Sequence, residues 1–235
     1  PSNRKPSLSY DAILLVSFGG PNGPEDVIPF LENVLRGKNV PRERLLEVAE
    51  HYYHFGGASP INQQNLQLKA ALETHLQSVG PNLPVYWGNR NWHPMLAETL
   101  QTMKSDGVQR CLALMTSAFS CYSGCRQYRE DLAKALDEVG GGIVVHKLRV
   151  FYNHPGFIQP LARRTSELYR SWSAEQQVHG RVLFCAHSIP NAMAANSAYQ
   201  VQLQEASRLV AEQVGVPPSH WELVYQSRSG PPTQP

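Results

Sequence analysis

The sequence predicts an α/β protein with two similar Rossmann-like units, each a parallel four-stranded sheet flanked by helices, the second unit being truncated. The main observation is that short apolar runs rich in β-forming residues alternate with longer segments of helical period. Such alternation is typical of right-handed βαβ crossovers and of a parallel sheet covered on both faces. The length of 235 residues, with 42% hydrophobic residues, is sufficient for two modest domains with buried cores.

The first domain is predicted over residues 1–150. Its helices are marked by a proline at the start and a glycine just after the end, as at Pro24 and Gly37. The predicted strands are 10–18, 84–88, 110–118 and 143–150, and the predicted helices are 24–36, 41–55, 61–79, 94–105 and 123–139. The helix 61–79 is expected to bury an apolar face with residues at steps of three to four. That face comprises Leu66, Ala70, Leu72, Leu76 and Val79.

The pattern restarts after residue 150, and the second domain is predicted over residues 151–235. Pro155 opens a helix as Pro24 does, and the apolar run 182–186 forms the body of a strand. The predicted helices are 155–172 and 197–214, and the predicted strands are 181–187 and 221–226. Because a parallel strand at 221–226 still needs a crossover partner, we expect this domain to be incomplete.

Composition and charge exclude several classes of protein. Lys and Arg number 21 and Asp and Glu number 19, which gives a formal net charge of +2, and 17% of the residues are charged. This balance excludes a disordered solvating chain and a polybasic nucleic-acid binder. No apolar run approaches the ~18 residues of a membrane helix, and no secretory signal heads the chain, so the cytosol is the expected location. Four cysteines are too few for a disulfide scaffold of this size.

Polar residues at the ends of the predicted strands form the candidate site. Open parallel α/β sheets bind their ligands beyond the carboxyl ends of the strands. The loop 17–24 joins a strand to a helix, so its glycines either let backbone N–H groups cradle an anion or only form a tight turn. Its spacing is not Gly-x-Gly-x-x-Gly, which argues against a dinucleotide site. The polar strand-end residues are Ser17, Asn89, Arg90, Thr116, Ser117, His187, Ser188 and 226–228.

Three histidines are candidates for chemistry. His187 ends the apolar strand 181–187, where an imidazole suits either metal binding or proton removal, or is simply packed. Its neighbour Ser188 lacks the Gly-x-Ser-x-Gly surround of a serine hydrolase, so that activity is rejected. His51 and His54 lie three apart on one predicted helix. The helix dipole favours histidines at a carboxyl end, which explains this pair without a metal.

Aromatic and cationic residues are concentrated at 120–129, where a strand meets a helix. Tyr rings stack on flat ligands and Arg pairs with carboxylates, so this segment suits a large aromatic anion. An amphipathic helix start with solvated arginines is the alternative. Cys121 and Cys125 do not form a Cys-x-x-Cys motif and are expected to be structural, and Cys111 and Cys185 are expected to be buried in strands.

Seven short motifs in order give the chain a specific resemblance to the ferrochelatase family over nearly its whole length. They are Leu-Leu-Val-Ser-Phe-Gly-Gly-Pro (14–21), Phe-Leu-Glu-Asn-Val (30–34), Phe-Gly-Gly-Ala-Ser-Pro-Ile-Asn (55–62), Gly-Asn-Arg-Asn-Trp (88–92), Tyr-Ser-Gly-Cys-Arg-Gln-Tyr (122–128), Ala-His-Ser-Ile-Pro (186–190) and Tyr-Gln-Ser-Arg-Ser-Gly-Pro (225–231). The resemblance implies a chelatase-like fold of two α/β units.

The resemblance also implies roles for named residues. His187 would bind the metal and accept a proton, and Ser59 and Tyr128 would contact the porphyrin, with the Tyr128 phenol near the iron of the product. Phe18 stands where other branches have Tyr, so no axial oxygen comes from that loop. A second metal ligand, a Glu, is expected beyond residue 235. The candidate partners of the porphyrin carboxylates are Arg36, Arg126 and Arg129.

Within the family the sequence is similar to the actinobacterial-type branch. This similarity implies a monomeric enzyme of haem biosynthesis that inserts Fe²⁺, as a substrate, into coproporphyrin III, with no nucleic-acid partner and no transmembrane segment. The alternatives are a protoporphyrin IX ferrochelatase and a haem- or porphyrin-binding protein without catalysis. A nucleotide-binding α/β protein is a further class. Some members carry a 2Fe–2S cluster, whose presence here the four cysteines leave open.

Overall fold

The computed structural model describes residues 9–121 and 126–227, and these form two compact units. Of these residues, the first unit contains 9–116 and 128–148. The second contains 117–121, 126–127 and 149–227. The α/β class is confirmed, and the domain limits 1–150 and 151–235 stay a prediction.

A parallel four-stranded sheet forms the centre of the first unit. Its strands are β1 (Ala12–Ser17), β2 (Val85–Asn89), β3 (Arg110–Met115) and β4 (Val144–Lys147), in the spatial order β2-β1-β3-β4. The strand β1 is central because its apolar residues are buried on both faces, as expected for a covered parallel sheet. This order places the carboxyl end of β1 between the ends of its two neighbours, β2 and β3.

Helices connect and cover these strands. They are α1 (Pro24–Leu35), α2 (Arg42–His54), α3 (Ile61–Val79), α4 (Leu96–Ser105) and α5 (Gln127–Glu138). Leu100 and Met103 of α4 pack on the sheet with Leu132 of α5, and all three are buried. The helices α1 and α2 form a second apolar cluster around Phe30. The beginning of the predicted helix at 123–125 lies outside the described residues.

The predicted apolar face of α3 is wrong. Leu66 and Val79 are 51% and 71% exposed, whereas the buried residues of α3 are Asn62 and Asn65. The helix is fixed at its first two turns by hydrogen bonds from these asparagine side chains to the loop after β1 and to Ser17, the last residue of β1. Periodicity of apolar residues therefore located the helix correctly and its buried face incorrectly.

The second unit contains a two-stranded parallel sheet among its described residues. Its elements are α6 (Pro155–Arg170), α7 (Ala174–His179), β5 (Val182–His187), α8 (Asn191–Ala195), α9 (Tyr199–Val214) and β6 (Trp221–Gln226). Ile158 and Ala162 of α6 pack against Ala206 and Val210 of α9. The short helices α7 and α8 were not predicted; α7 begins with a capping box in which Ser173 and Gln176 exchange hydrogen bonds.

None of the helices among residues 9–121 and 126–227 is long and apolar enough to cross a membrane.

Candidate functional site

The loop that follows β1 lies at the centre of the carboxyl edge of the first unit. Gly19 has a φ of +82°, and a Cβ added there would lie 2.9 Å from the Cβ of Asn89. A Cβ on Gly20 would lie 2.7 Å from the Cβ of Ser59. The backbone therefore touches the end of β2 on one side and the Ser59 segment on the other, and only glycine permits both approaches.

Ser59 is held against this loop by its own backbone. Its N–H donates a hydrogen bond of 2.8 Å to the carbonyl of Pro21, and its half-buried hydroxyl accepts one of 3.4 Å from the N–H of Ile61. The structure thus brings the predicted Ser59 to the carboxyl edge of the sheet. Because this bond uses the hydroxyl as an acceptor, its proton is available for donation.

Two buried asparagines that sequence reasoning missed support the same loop. Asn62 donates from Nδ2 to the carbonyl of Gly20 at 2.7 Å and to Oδ1 of Asn22 at 2.8 Å. Asn65 donates to the hydroxyl of Ser17 at 2.6 Å. The signal that could have identified them is the spacing Asn-x-x-Asn at the start of a helix, shortly after Ser59.

The loop after β2 crosses over the end of β1. The backbone N–H of Arg90 donates to the carbonyl of Ser17 at 3.0 Å, and Asn91 donates to the carbonyl of Phe18 from both its backbone and its side chain. Hydrogen bonds therefore join the polar ends of β1 and β2. These bonds fix the backbone positions of Arg90 and Phe18.

Tyr128 lies under the guanidinium of Arg90. The side chain of Arg90 is only 4% exposed, and its guanidinium carbon lies 4.5 Å from the ring centroid of Tyr128 and 5.7 Å from that of Phe18. Burial raises the pKa of the Tyr128 phenol, and the charge of the neighbouring Arg90 offsets only part of this rise. The phenol is therefore protonated at neutral pH.

The three predicted arginines are exposed, and their surroundings differ. Arg36 ends α1 and donates to Oδ1 of Asn33, which in turn donates from Nδ2 to the carbonyl of Asn91 at 3.3 Å. Arg36 is thereby connected to the same edge as Ser59. Arg129 lies in the first turn of α5 in the first unit, whereas Arg126 belongs to the second unit.

His187 ends β5 in the second unit with an exposed side chain. Its Nδ1 lies 2.6 Å from the carbonyl oxygen of Ser188. Because a carbonyl only accepts, Nδ1 carries the hydrogen of this bond, and Nε2 of the neutral ring presents a lone pair. The hydroxyl of Tyr199 donates to the His187 carbonyl at 3.1 Å and fixes the backbone behind the ring.

Other candidate residues have structural surroundings. Ser188 donates its hydroxyl to the carbonyl of Ser227, and His54 packs edge-on against Phe55. The burial predicted for Cys111 is confirmed, whereas the burial predicted for Cys185 is wrong, since Cys185 alternates along β5 with the less exposed Phe184 and Ala186 and is itself exposed. Cys125 lies outside the described residues. Within the described part of the chain, no three His, Cys, Asp or Glu side chains form a group that could hold a metal ion.

The fold defines an α/β protein with a polar and aromatic edge, the candidate binding site, at the carboxyl end of a parallel sheet. The profile of the family described as ferrochelatase matches residues 10–234. The chain therefore belongs to the ferrochelatase family.

Curated relatives are similar over nearly the whole chain. A protein of Rhodopirellula baltica named ferrochelatase is 60% identical over 227 residues, which cover 96% of this chain. Proteins named coproporphyrin III ferrochelatase from Streptomyces coelicolor and Corynebacterium glutamicum are 49% and 48% identical over 95% and 99% of it. The matches span 64%, 64% and 65% of the lengths of these three relatives.

Proposed function

We propose that this chain carries the larger part of an enzyme that inserts Fe²⁺ into coproporphyrin III in haem biosynthesis. Membership of the ferrochelatase family supports the metal insertion, and the Streptomyces and Corynebacterium relatives, by their names, support coproporphyrin III. The observation that carries the proposal within the fold is the exposed His187 ring, whose Nε2 lone pair is left open by the bond from Nδ1 to Ser188.

The reaction needs a destination for protons. A free-base porphyrin holds two pyrrole N–H protons, and the exchange of these protons for Fe²⁺ releases both. A neutral imidazole accepts one proton near neutral pH, and the lone pair on Nε2 of His187 is the acceptor for one of the two in this chain, while the other passes to solvent water. The Tyr199 hydroxyl fixes the His187 carbonyl, and the bond from Nδ1 to the Ser188 carbonyl orients the ring, so little freedom is lost when it acts.

The porphyrin itself is assigned to the carboxyl edge of the first unit. Ser59 contributes a hydroxyl there, and Tyr128 contributes a protonated phenol that donates a hydrogen bond rather than carrying charge. Arg36 and Arg129 are exposed cations of the same unit, and Arg126 is an exposed cation of the second. Guanidinium groups pair bidentately with carboxylates, which suits a ligand with several carboxylates around its rim.

The test uses the full native protein that contains this chain, under anaerobic conditions with Fe²⁺. Insertion is followed as loss of the free-base fluorescence of coproporphyrin III or protoporphyrin IX. We expect turnover with coproporphyrin III, and preference for protoporphyrin IX would contradict the proposed substrate. Tight binding of iron porphyrin without insertion would instead indicate a haem-binding protein.

The substitution His187→Ala separates binding from chemistry. Loss of a general base typically lowers kcat by about 10²- to 10⁴-fold, and the free-base porphyrin should still bind within about twofold of the wild-type affinity. His179→Ala is the matched control, because His179 is also exposed in the second unit but lies before the amino end of β5. Retained turnover in His187→Ala would refute the assigned role.

A further inference from the structure

The first unit contains a largely buried ion pair between the loop after β2 and the helix α5. Nε of Arg90, in the loop after β2, lies 2.5 Å from Oδ2 of Asp131 in α5. The arginine side chain is 4% exposed and the aspartate side chain 35% exposed. A buried ion pair is a poor way to gain stability, because apolar residues of similar volume are often as stable or more so. The placement of this pair therefore points to orientation of a neighbouring group.

The group that the pair orients is Tyr128. Asp131 follows Tyr128 by three residues on α5, so the two side chains lie on the same face of the helix. With its Nε held by Asp131, the guanidinium of Arg90 lies over the Tyr128 ring, its carbon 4.5 Å from the ring centroid, and its charge acts on the phenol. The ring is thus constrained across its face, and its phenol lies in the field of a fixed cation.

We propose that Arg90 and Asp131 are positioning residues that set the ring and hydroxyl direction of Tyr128 for porphyrin binding. This inference rests on the proposed function and deepens it, since it explains how a buried tyrosine at the start of a helix keeps one orientation. A cation–π contact with a guanidinium that is itself held by an ion pair reduces the rotamer freedom that a tyrosine otherwise loses on binding. A purely structural pair would only fasten α5 to the loop after β2.

The test is a double-mutant cycle in the full native protein. Asp131→Asn removes the charge that holds Arg90, and Tyr128→Phe removes the phenol that Arg90 orients. Asp137→Asn is the matched control, because Asp137 is exposed on the same helix. The dissociation constant of free-base coproporphyrin III, measured by fluorescence quenching, should rise about tenfold in Asp131→Asn.

The cycle distinguishes positioning from stability. If the pair acts through Tyr128, Asp131→Asn should weaken binding less than about twofold when Tyr128→Phe is already present. If Asp131→Asn weakened porphyrin binding equally with and without Tyr128→Phe, the proposal would be overturned. It would also be overturned if Asp131→Asn and the control Asp137→Asn had the same affinity for the porphyrin. Arg90→Lys keeps a cation but loses the planar fork, so it should resemble Asp131→Asn rather than wild type.

A second measurement does not depend on porphyrin binding. In protein labelled with 3-fluorotyrosine, Tyr128→Phe identifies the fluorine resonance of Tyr128. That resonance should shift or broaden in Asp131→Asn and remain unchanged in Asp137→Asn, with melting temperatures recorded for each. An unchanged resonance would overturn the positioning role. A wild-type protein that bound no porphyrin would refute the proposed function, while the fluorine spectra would still decide the orientation of Tyr128.

Discussion

The close approach of Gly20 to Ser59 gives a sharp stability prediction. In Gly20→Ala, the new Cβ would lie 2.7 Å from the Cβ of Ser59 and 2.8 Å from Cγ2 of Ile61. The Cβ of Ser59 is attached directly to the backbone and cannot swing away, so the loop after β1 and the 59–62 segment must separate. Overpacking of this kind costs about 1–3 kcal/mol, and the lost chain entropy of the unfolded state offsets about 0.4–1 kcal/mol.

The expected result is a net loss of about 1–2 kcal/mol, which lowers the melting temperature by about 2–8 °C for a protein of this size. Circular dichroism melts measure it. Gly80→Ala is the matched control, because Gly80 has an extended backbone and its nearest neighbour is a flexible methyl group of Leu76 at 3.3 Å. If Gly20→Ala had the same melting temperature as Gly80→Ala and the wild type, the tight approach of the two segments would be refuted.

Two further predictions concern titratable groups. The backbone N–H groups of Arg110 and Gln109 donate to Asp11 and lower the pKa of its carboxyl. The ionised carboxylate therefore stabilises the folded protein. This stabilisation is fully present above the unfolded-state pKa of about 4 and is lost as the pH falls through the lower pKa of the folded state. Asp11→Ala should therefore have a lower melting temperature than the wild type at pH 7. A difference in melting temperature that failed to narrow at acidic pH would contradict this. Burial raises the pKa of Cys111 to about 12, so a thiol reagent should label the exposed Cys185 of the folded protein and leave Cys111 unlabelled. Mass spectrometry of labelled peptides checks this, and rapid labelling of Cys111 would show that its strand is not buried.

The positions of the strands could be predicted because their apolar runs are covered on both faces. The run that became β1 is almost wholly buried, and a segment of that kind has few alternatives to the centre of a parallel sheet. The short helices α7 and α8 were missed because five or six residues carry too little periodicity to predict a helix.

Burial on a single face was harder to predict. Cys185 belongs to an apolar strand, yet its face of β5 is exposed, since residue type predicts a strand but not which of its faces is covered. The buried face of α3 was mispredicted for a related reason. Its position is set by hydrogen bonds from Asn62 to the Gly20 carbonyl and from Asn65 to the Ser17 hydroxyl, and such specific bonds leave no periodic signal.

The same distinction applies to the candidate site. Strand-end residues such as Arg90 could be predicted to meet at one edge of the sheet, because topology alone brings the carboxyl ends of neighbouring strands together. The contacts of Arg90 with Asp131 and Tyr128 could not be predicted, since both of these side chains reach it from α5. In this unit the loop after β1 separates the Ser59 segment from the Arg90 cluster and touches both. The shape of the binding edge therefore depends on residues that face the loop as much as on those that would face a ligand.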